Sequence, residues 1–298
     1  MSAAAQNGRL RAWFEILRLP NLLTVPGDPL AGFFLVGGAS VGRLAVAAGT
    51  ALLFYAAGLL LNDWFDRETD QRERPARPLP SGRISPRTVI GAAVALLVAG
   101  LACSLFLGLL GFGVALVLAG LVVAYDAGGK ERSLLGPLLM GACRGGSLLL
   151  GAAAARPPPW PLPVGVAAGI LWLYIYSVSR LARHEMEEGE VAEAEPGPAL
   201  VLAAGGVFLA FLLARRTVLH SGWFLIPWLA VVAVTLPVAG LFSKRRGGKP
   251  AAIGRLLRAL LPLQSFFLLA AGEWRTAAVL LLVLWPLSGI LNKRFAMS

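Results

Sequence analysis

The chain has 298 residues, 57% of them apolar and 14% charged, with a mean hydropathy of +0.72, which excludes an ordinary soluble domain and points to an integral membrane protein. The net charge of +11 does not imply nucleic acid, because the arginines fall in short loops between apolar runs, where topology and anionic lipid account for them. Cys103 and Cys143 lie inside apolar stretches and His184 and His220 are far apart, so neither a disulfide framework nor a Cys/His metal site is expected.

In chain order, Trp13, Phe14, Ile16 and Leu17 lie between Arg11 and Arg18, the pattern of a short amphipathic helix (within 1–20) at the membrane interface. No uninterrupted apolar core ends in a small-residue cleavage site, so no cleavable signal is expected. Ten candidate spans follow, over 22–38, 44–62, 86–107, 111–125, 134–155, 161–179, 198–213, 223–242, 251–271 and 276–291. The fourth is short, and the ninth carries Arg255, Arg258 and Gln264. With the N-terminus inside and the spans alternating, only Arg43, Arg156, Arg215, Arg216 and Arg275 fall in outer loops, so the positive-inside rule places the carboxylate-rich loops in the cytoplasm. No soluble linker interrupts the pattern, and a single membrane domain over 1–298 is expected, with cap loops over 63–85 and 180–197.

The most informative stretch is 59–85, LLLNDWFDRETDQRERPARPLPSGRIS. Asn62, Asp66 and Asp70 fall at i, i+4 and i+8, so a helix continuing through them stacks three oxygen donors along one face. Arg72, Arg74, Arg77 and Arg83 follow on a proline-stiffened return through Pro75, Pro78 and Pro80. A solvated cytoplasmic loop fits mixed charges after a span. The order of oxygen ligands first and forked cations after fits a metal diphosphate site, since Mg²⁺ is held by one or two carboxylates plus phosphate oxygens and guanidinium groups bind phosphate bidentately.

The run Asn62-Asp63-x-x-Asp66-x-x-x-Asp70, followed by Arg74-x-x-Arg77-Pro78-Leu79-x-x-Gly82-x-Ile84-Ser85, resembles the first aspartate-rich motif of the UbiA superfamily of intramembrane prenyltransferases. The resemblance implies an all-α bundle of nine to ten transmembrane helices that transfers an isoprenoid chain from a Mg²⁺-bound prenyl diphosphate to an acceptor in the bilayer. By that match Asn62, Asp66 and Asp70, with Asp63 beside them, hold metal and diphosphate, and Arg74 and Arg77 hold the phosphates. Members of the family generally have nine helices, so a count of ten implies a re-entrant piece or a departure from the pattern.

Two later stretches bear on the same chemistry. Tyr125-x-x-x-x-Lys130 is similar to the family's short loop, whose lysine makes Lys130 a diphosphate ligand beside Asp66 and Asp70 in catalysis, with Asp126 assisting. A lysine at a helix end also fits a snorkelling anchor. Arg144, inside an apolar helix, must face the interior and either pair with a carboxylate or line the cavity. In YIYSVSRLARHEMEEGE, 174–190, the second aspartate-rich motif is altered. Glu185 stands where the family's last aspartate sits, Leu181 occupies the preceding turn in place of an acid, and Arg180 and Arg183 are added. Those arginines could grip diphosphate, bind an acidic acceptor or oppose a second metal. The expected activity is Mg²⁺-dependent prenyl transfer to a small or lipid-soluble acceptor, by a protein of the plasma membrane with its active-site loops inside. A lipid-binding protein retaining the bundle without chemistry is the alternative.

Overall fold

In the computed structural model the backbone is described for residues 3–187 and 249–295, and every described element is helical. The order is α1 (Ala3–Ile16), α2 (Leu19–Leu22), α3 (Gly27–Leu35), α4 (Val41–Phe65), α5 (Arg67–Glu73), α6 (Pro86–Ser104), α7 (Gly108–Asp126), α8 (Leu135–Ala155), α9 (Leu162–Glu187), α10 (Lys249–Arg258), α11 (Leu260–Ala270), α12 (Trp274–Val279) and α13 (Trp285–Phe295). A π turn over Leu280–Leu284 joins the last two. Among the described residues six helical segments are long and apolar enough to cross a membrane: Val41–Phe65, Pro86–Asp126, Leu135–Ala155, Leu162–Arg183, Ile253–Ala270 and Trp274–Leu291. The candidate spans over 198–213 and 223–242 lie outside the described residues. Helix α9 runs through the start of the 180–197 segment as far as Glu187.

Local sequence sets the helix ends. The Ser40 and Ser85 hydroxyls accept from the backbone N–H groups of Arg43 and Thr88 at the starts of α4 and α6, and Pro86 sits in the first turn, where its missing N–H costs nothing. A 3₁₀ turn over Leu105–Leu107 and then Gly108, at φ 81°, separate α6 from α7. Arg43 donates to the carbonyls of Leu107 (2.8 Å) and Ala154 (2.6 Å), closing the ends of two neighbouring helices.

The first span differs from the sequence expectation of a continuous helix over 22–38. It is broken into α2 and α3 by a turn over 23–26, where Pro26 has no N–H to give and lies just before the first turn of α3. Such a break is tolerated at membrane depth only where protein satisfies the freed backbone. Here the Thr24 carbonyl accepts from Arg144 Nη1 (3.3 Å) and Gln264 Nε2 (2.7 Å). The Asp28 carboxylate accepts from the same two side chains, at 2.7 and 2.6 Å. Arg144 therefore takes the carboxylate-pairing role of its two alternatives, and its guanidinium also lies 5.5 Å from the Tyr55 ring.

Helices α3 and α8 touch backbone to backbone. A Cβ on Gly32 would stand 1.9 Å from the Leu148 carbonyl oxygen, and one on Gly151 the same distance from that of Pro29, so small residues permit the approach. Leu148, Leu171, Tyr174, Phe266 and Phe267 fill the core that joins α3 and α8 to α9–α11, and the Tyr174 hydroxyl donates to the Leu256 carbonyl at 2.7 Å. A separate cluster lies under the cap loop: Leu79 and Ile84 of the proline-rich return bury against Ala12 and Ile16 of α1, Leu60 of α4 and Val89 of α6.

Candidate active site

Asn62 and Asp63 stand on the last turn of α4. Asp66 ends that helix at φ −81°, ψ 0°, a conformation that stops one helix and lets α5 start at once. The three donors thus do not share one continuous helical face, as the spacing alone predicted, because the axis is interrupted at Asp66. Hydrogen bonds four residues apart persist across the joint, from Asp66 N to the Asn62 carbonyl (3.0 Å) and from Asp70 N to the Asp66 carbonyl (2.8 Å), so the three stay close in space.

Each donor has a distinct partner. Asn62 Nδ2 donates to the Asp126 carboxylate at 3.3 Å. Asp66, the more open of the carboxylates, is 2.6 Å from Lys130 Nζ, which also reaches the Asn62 carbonyl oxygen at 3.4 Å and Asp126 at 4.0 Å. Asp70 is buried and accepts from Arg77 at 2.7 Å. Asp63 is buried, lies 3.4 Å from Arg18, and is within electrostatic range of Asp66, Asp70 and Arg77. Arg74 is exposed, on the return to Arg77. Arg83 turns away to Glu15 of α1 at 2.7 Å, pinning the cap beside the Leu79 and Ile84 anchors.

The loop after α7 presents Lys130 from a 3₁₀ turn over Gly129–Glu131, entered through Gly128 at φ 124°. Arg183 of α9 donates to the backbone carbonyls of Lys130, Glu131 and Arg132. The structure thus gives Arg183 a backbone role at this turn. Arg180 stands on the same helix with its guanidinium 6.0 Å from the Tyr176 ring. The Glu185 and His184 side chains lie outside the described residues.

Two participants were not legible as such. Arg18 reads in sequence as a topological anchor, yet it holds a left-handed backbone (φ 44°, ψ 57°) at the elbow between α1 and α2 and turns its side chain to Asp63. Asp28 reads as part of an apolar run, and the signal that could have found it is the rule that an acid at membrane depth has a buried partner, here Arg144.

The oxygen ligands gathered around Asp66 are amide and carboxylate oxygens, the set that suits Mg²⁺ over softer metals. Among the described residues no three acids converge into a ready-made metal cage. That fits a magnesium ion which takes one or two carboxylates from the protein and the rest of its shell from phosphate and water.

A membrane-embedded helical bundle whose long α4 ends in carboxylates ion-paired to a lysine and an arginine has the construction expected of an intramembrane prenyltransferase. The model of the UbiA prenyltransferase family matches residues 29–194, and the chain belongs to that family. It is 30% identical to the digeranylgeranylglyceryl phosphate synthase of Methanoregula boonei over 78% of this chain and 86% of that one, and 31% identical to that of Halobacterium salinarum over 83% and 92%. In the match to the synthase of Ignicoccus hospitalis, 35% identical over 50% of this chain, it spans about half (48%) of the relative's length. Among solved structures, a UbiA homolog from Archaeoglobus fulgidus superposes with a TM-score of 0.65 at 14% identity, covering 88% of this chain and 99% of that one. The same homolog bound to GPP and Mg²⁺ gives 0.58 at 19% identity, covering 89% and 99%. At these identities the likeness is one of fold.

Proposed function

We propose that the chain is one membrane domain, set in the plasma membrane with its N-terminus and site loops cytoplasmic, that transfers a prenyl group from a prenyl diphosphate to a lipid-soluble acceptor with Mg²⁺ as cofactor. The observation that carries this reading is the alternation of charge where α4 passes into α5, with Lys130 on Asp66 at 2.6 Å and Arg77 on Asp70 at 2.7 Å. A magnesium diphosphate brings both signs at once, so these pairs can exchange partners without leaving a buried charge uncompensated. The bound GPP and Mg²⁺ in the Archaeoglobus homolog support the same ligand class.

In the reaction the allylic C1–O bond breaks and its electron pair leaves with the diphosphate; a lone pair of the acceptor then forms the new bond to C1, and the acceptor's proton is released. Mg²⁺, when bound, supplies Lewis-acid stabilisation of the departing oxygens. Asn62, Asp63, Asp66 and Asp70 are the residues from which its one or two protein carboxylates and amide oxygen would come, with Glu185 of the altered second motif as a further ligand. Lys130, Arg77 and the exposed Arg74 carry positive charge to where negative charge develops, the usual source of the largest catalytic contribution. The apolar bundle beneath excludes water from the allylic cation until the acceptor attacks. The relatives' printed name makes a prenylated glyceryl phosphate the first acceptor class to test.

The test is incubation of protein-containing membranes with labelled geranyl to geranylgeranyl diphosphates, Mg²⁺ and a prenylglyceryl phosphate. A labelled lipid with stoichiometric release of diphosphate, abolished by EDTA, is expected. Binding of the diphosphate without turnover on any lipid acceptor would leave a lipid-binding protein instead.

A further inference from the structure

We infer that Arg183 is a positioning residue for Lys130: the arm in which the second aspartate-rich motif is altered reaches the diphosphate through the 129–132 turn, not by direct contact. The inference rests on the prenyl diphosphate site proposed above. Arg183 Nη1 donates to the carbonyls of Lys130 and, at 2.6 Å, of Arg132, while Nη2 donates to that of Glu131 at 2.7 Å. Three of its five N–H donors are thereby held by backbone.

The turn needs such a clamp. Its own hydrogen bonds are long, from Glu131 N to the Gly128 carbonyl (3.3 Å) and from Arg132 N to that of Gly129 (3.2 Å), and two glycines lead into it. A single 3₁₀ turn satisfies few of its own carbonyls: Gly129 accepts from Arg132 N and Arg132 from Gly136 N, and Arg183 serves those of Lys130 and Glu131 as well as that of Arg132. A planar guanidinium can bridge several of them in a fixed orientation, which an ammonium cannot do. With the turn fixed, the Lys130 side chain, 12% exposed, points its Nζ at Asp66 and the Asn62 carbonyl oxygen. Gly136, in the first turn of α8, leaves the room: a Cβ there would stand 2.9 Å from Arg183 Nη1 and 3.1 Å from Lys130 Cα.

The test uses the full chain and measures the affinity for geranyl diphosphate with Mg²⁺ by calorimetry. Arg183→Met, Arg183→Lys and Gly136→Ala are compared, each alone and combined with Lys130→Met. If geometry is what matters, both Arg183 variants weaken binding by about 10–100-fold, as loss of a ligand's supporting partner typically does. Arg183→Lys then resembles Arg183→Met although it keeps the charge. Gly136→Ala should weaken binding in the same sense with Arg183 in place, which covers the case in which the Arg183 variants do not fold. In the Lys130→Met background each change should add no more than about twofold, because a residue that acts through another is silent once the other is gone.

Losses that multiply in that background would mean that Arg183 touches the diphosphate itself, and unaltered affinity in the single variants would equally overturn the inference. A second readout does not depend on the substrate. Labelling of Lys130 by an amine-reactive ester, read by mass spectrometry, should rise in Arg183→Met and Gly136→Ala relative to wild type. A wild-type chain that fails to bind geranyl diphosphate defeats the functional reading alone. Unchanged Lys130 labelling defeats the positioning role.

Discussion

Asp66 ends α4 and precedes α5 without being an interior residue of either, and its carboxylate, about a third exposed, is the one most open to an incoming metal. Replacing it with alanine removes that oxygen pair from Lys130, but takes nothing from the buried core. Lys130 then keeps Asp126 at 4.0 Å and the Asn62 carbonyl oxygen as partners, so Asp66→Ala is expected to cost about 1 kcal/mol or less in unfolding free energy and to lose about 10²–10³-fold in turnover, the size of effect seen when one transition-state charge contact is removed. Asp70 differs, because it is buried on Arg77. Asp70→Ala strands a half-buried guanidinium, and both stability in thermal unfolding and turnover should fall. Asn62, Asp66, Asp70 and Arg77 could be grouped from the residue pattern because their spacing is local, whereas Lys130, 64 residues beyond Asp66, was joined to them only through the resemblance of its loop to the family's. The Arg18–Asp63 and Arg183–loop contacts were not legible, since each joins positions 45 or more residues apart and an arginine at a span end has an ordinary topological reading.

Among the elements, the broken first span has the largest structural consequence. An apolar run over 22–38 satisfies every length and composition criterion for one helix, and Pro26 within it signals only a kink. What turns a kink into a stable break is a set of donors brought from α8 and α11, Arg144 and Gln264, which sequence order does not reveal. The cluster joins the 23–26 turn, α3, α8 and α11, and Asp28 has no exposed surface. Arg144→Met leaves a carboxylate buried with only Gln264 as donor, and should destabilise by about 3–5 kcal/mol. The double variant Arg144→Met, Asp28→Leu should recover part of that loss, because the uncompensated charge has gone; chemical denaturation in detergent would measure both. The cap shows the opposite balance of legibility: the prolines and arginines announced a stiff return, and Leu79 and Ile84 supply its anchorage on α1 and α4.

At the scale of the whole molecule, the described residues gather paired carboxylates and cations at the Asp66 end of α4, beside apolar helices, a division that suits a substrate with a diphosphate head and a hydrocarbon tail. The same division fixes how ligands should couple to stability. Mg²⁺ bound without the diphosphate would draw most of its shell from water, which gives it little hold on the protein. A prenyl diphosphate alone brings negative charge to carboxylates that Lys130 and Arg77 already neutralise. Only the two together can satisfy both signs. In detergent, Mg²⁺ alone and geranylgeranyl diphosphate alone are each expected to shift the melting temperature little. The pair at about 100 times its dissociation constant should stabilise by about 2.7 kcal/mol, a rise of several degrees. The rise should vanish in Asp66→Ala and shrink in Lys130→Met, whereas Arg43→Ala, at the far end of α4, should lower the starting temperature and leave the increment intact. A full shift from the diphosphate without magnesium would mean that the cations alone hold it, and the carboxylates of α4 and α5 would then need another role.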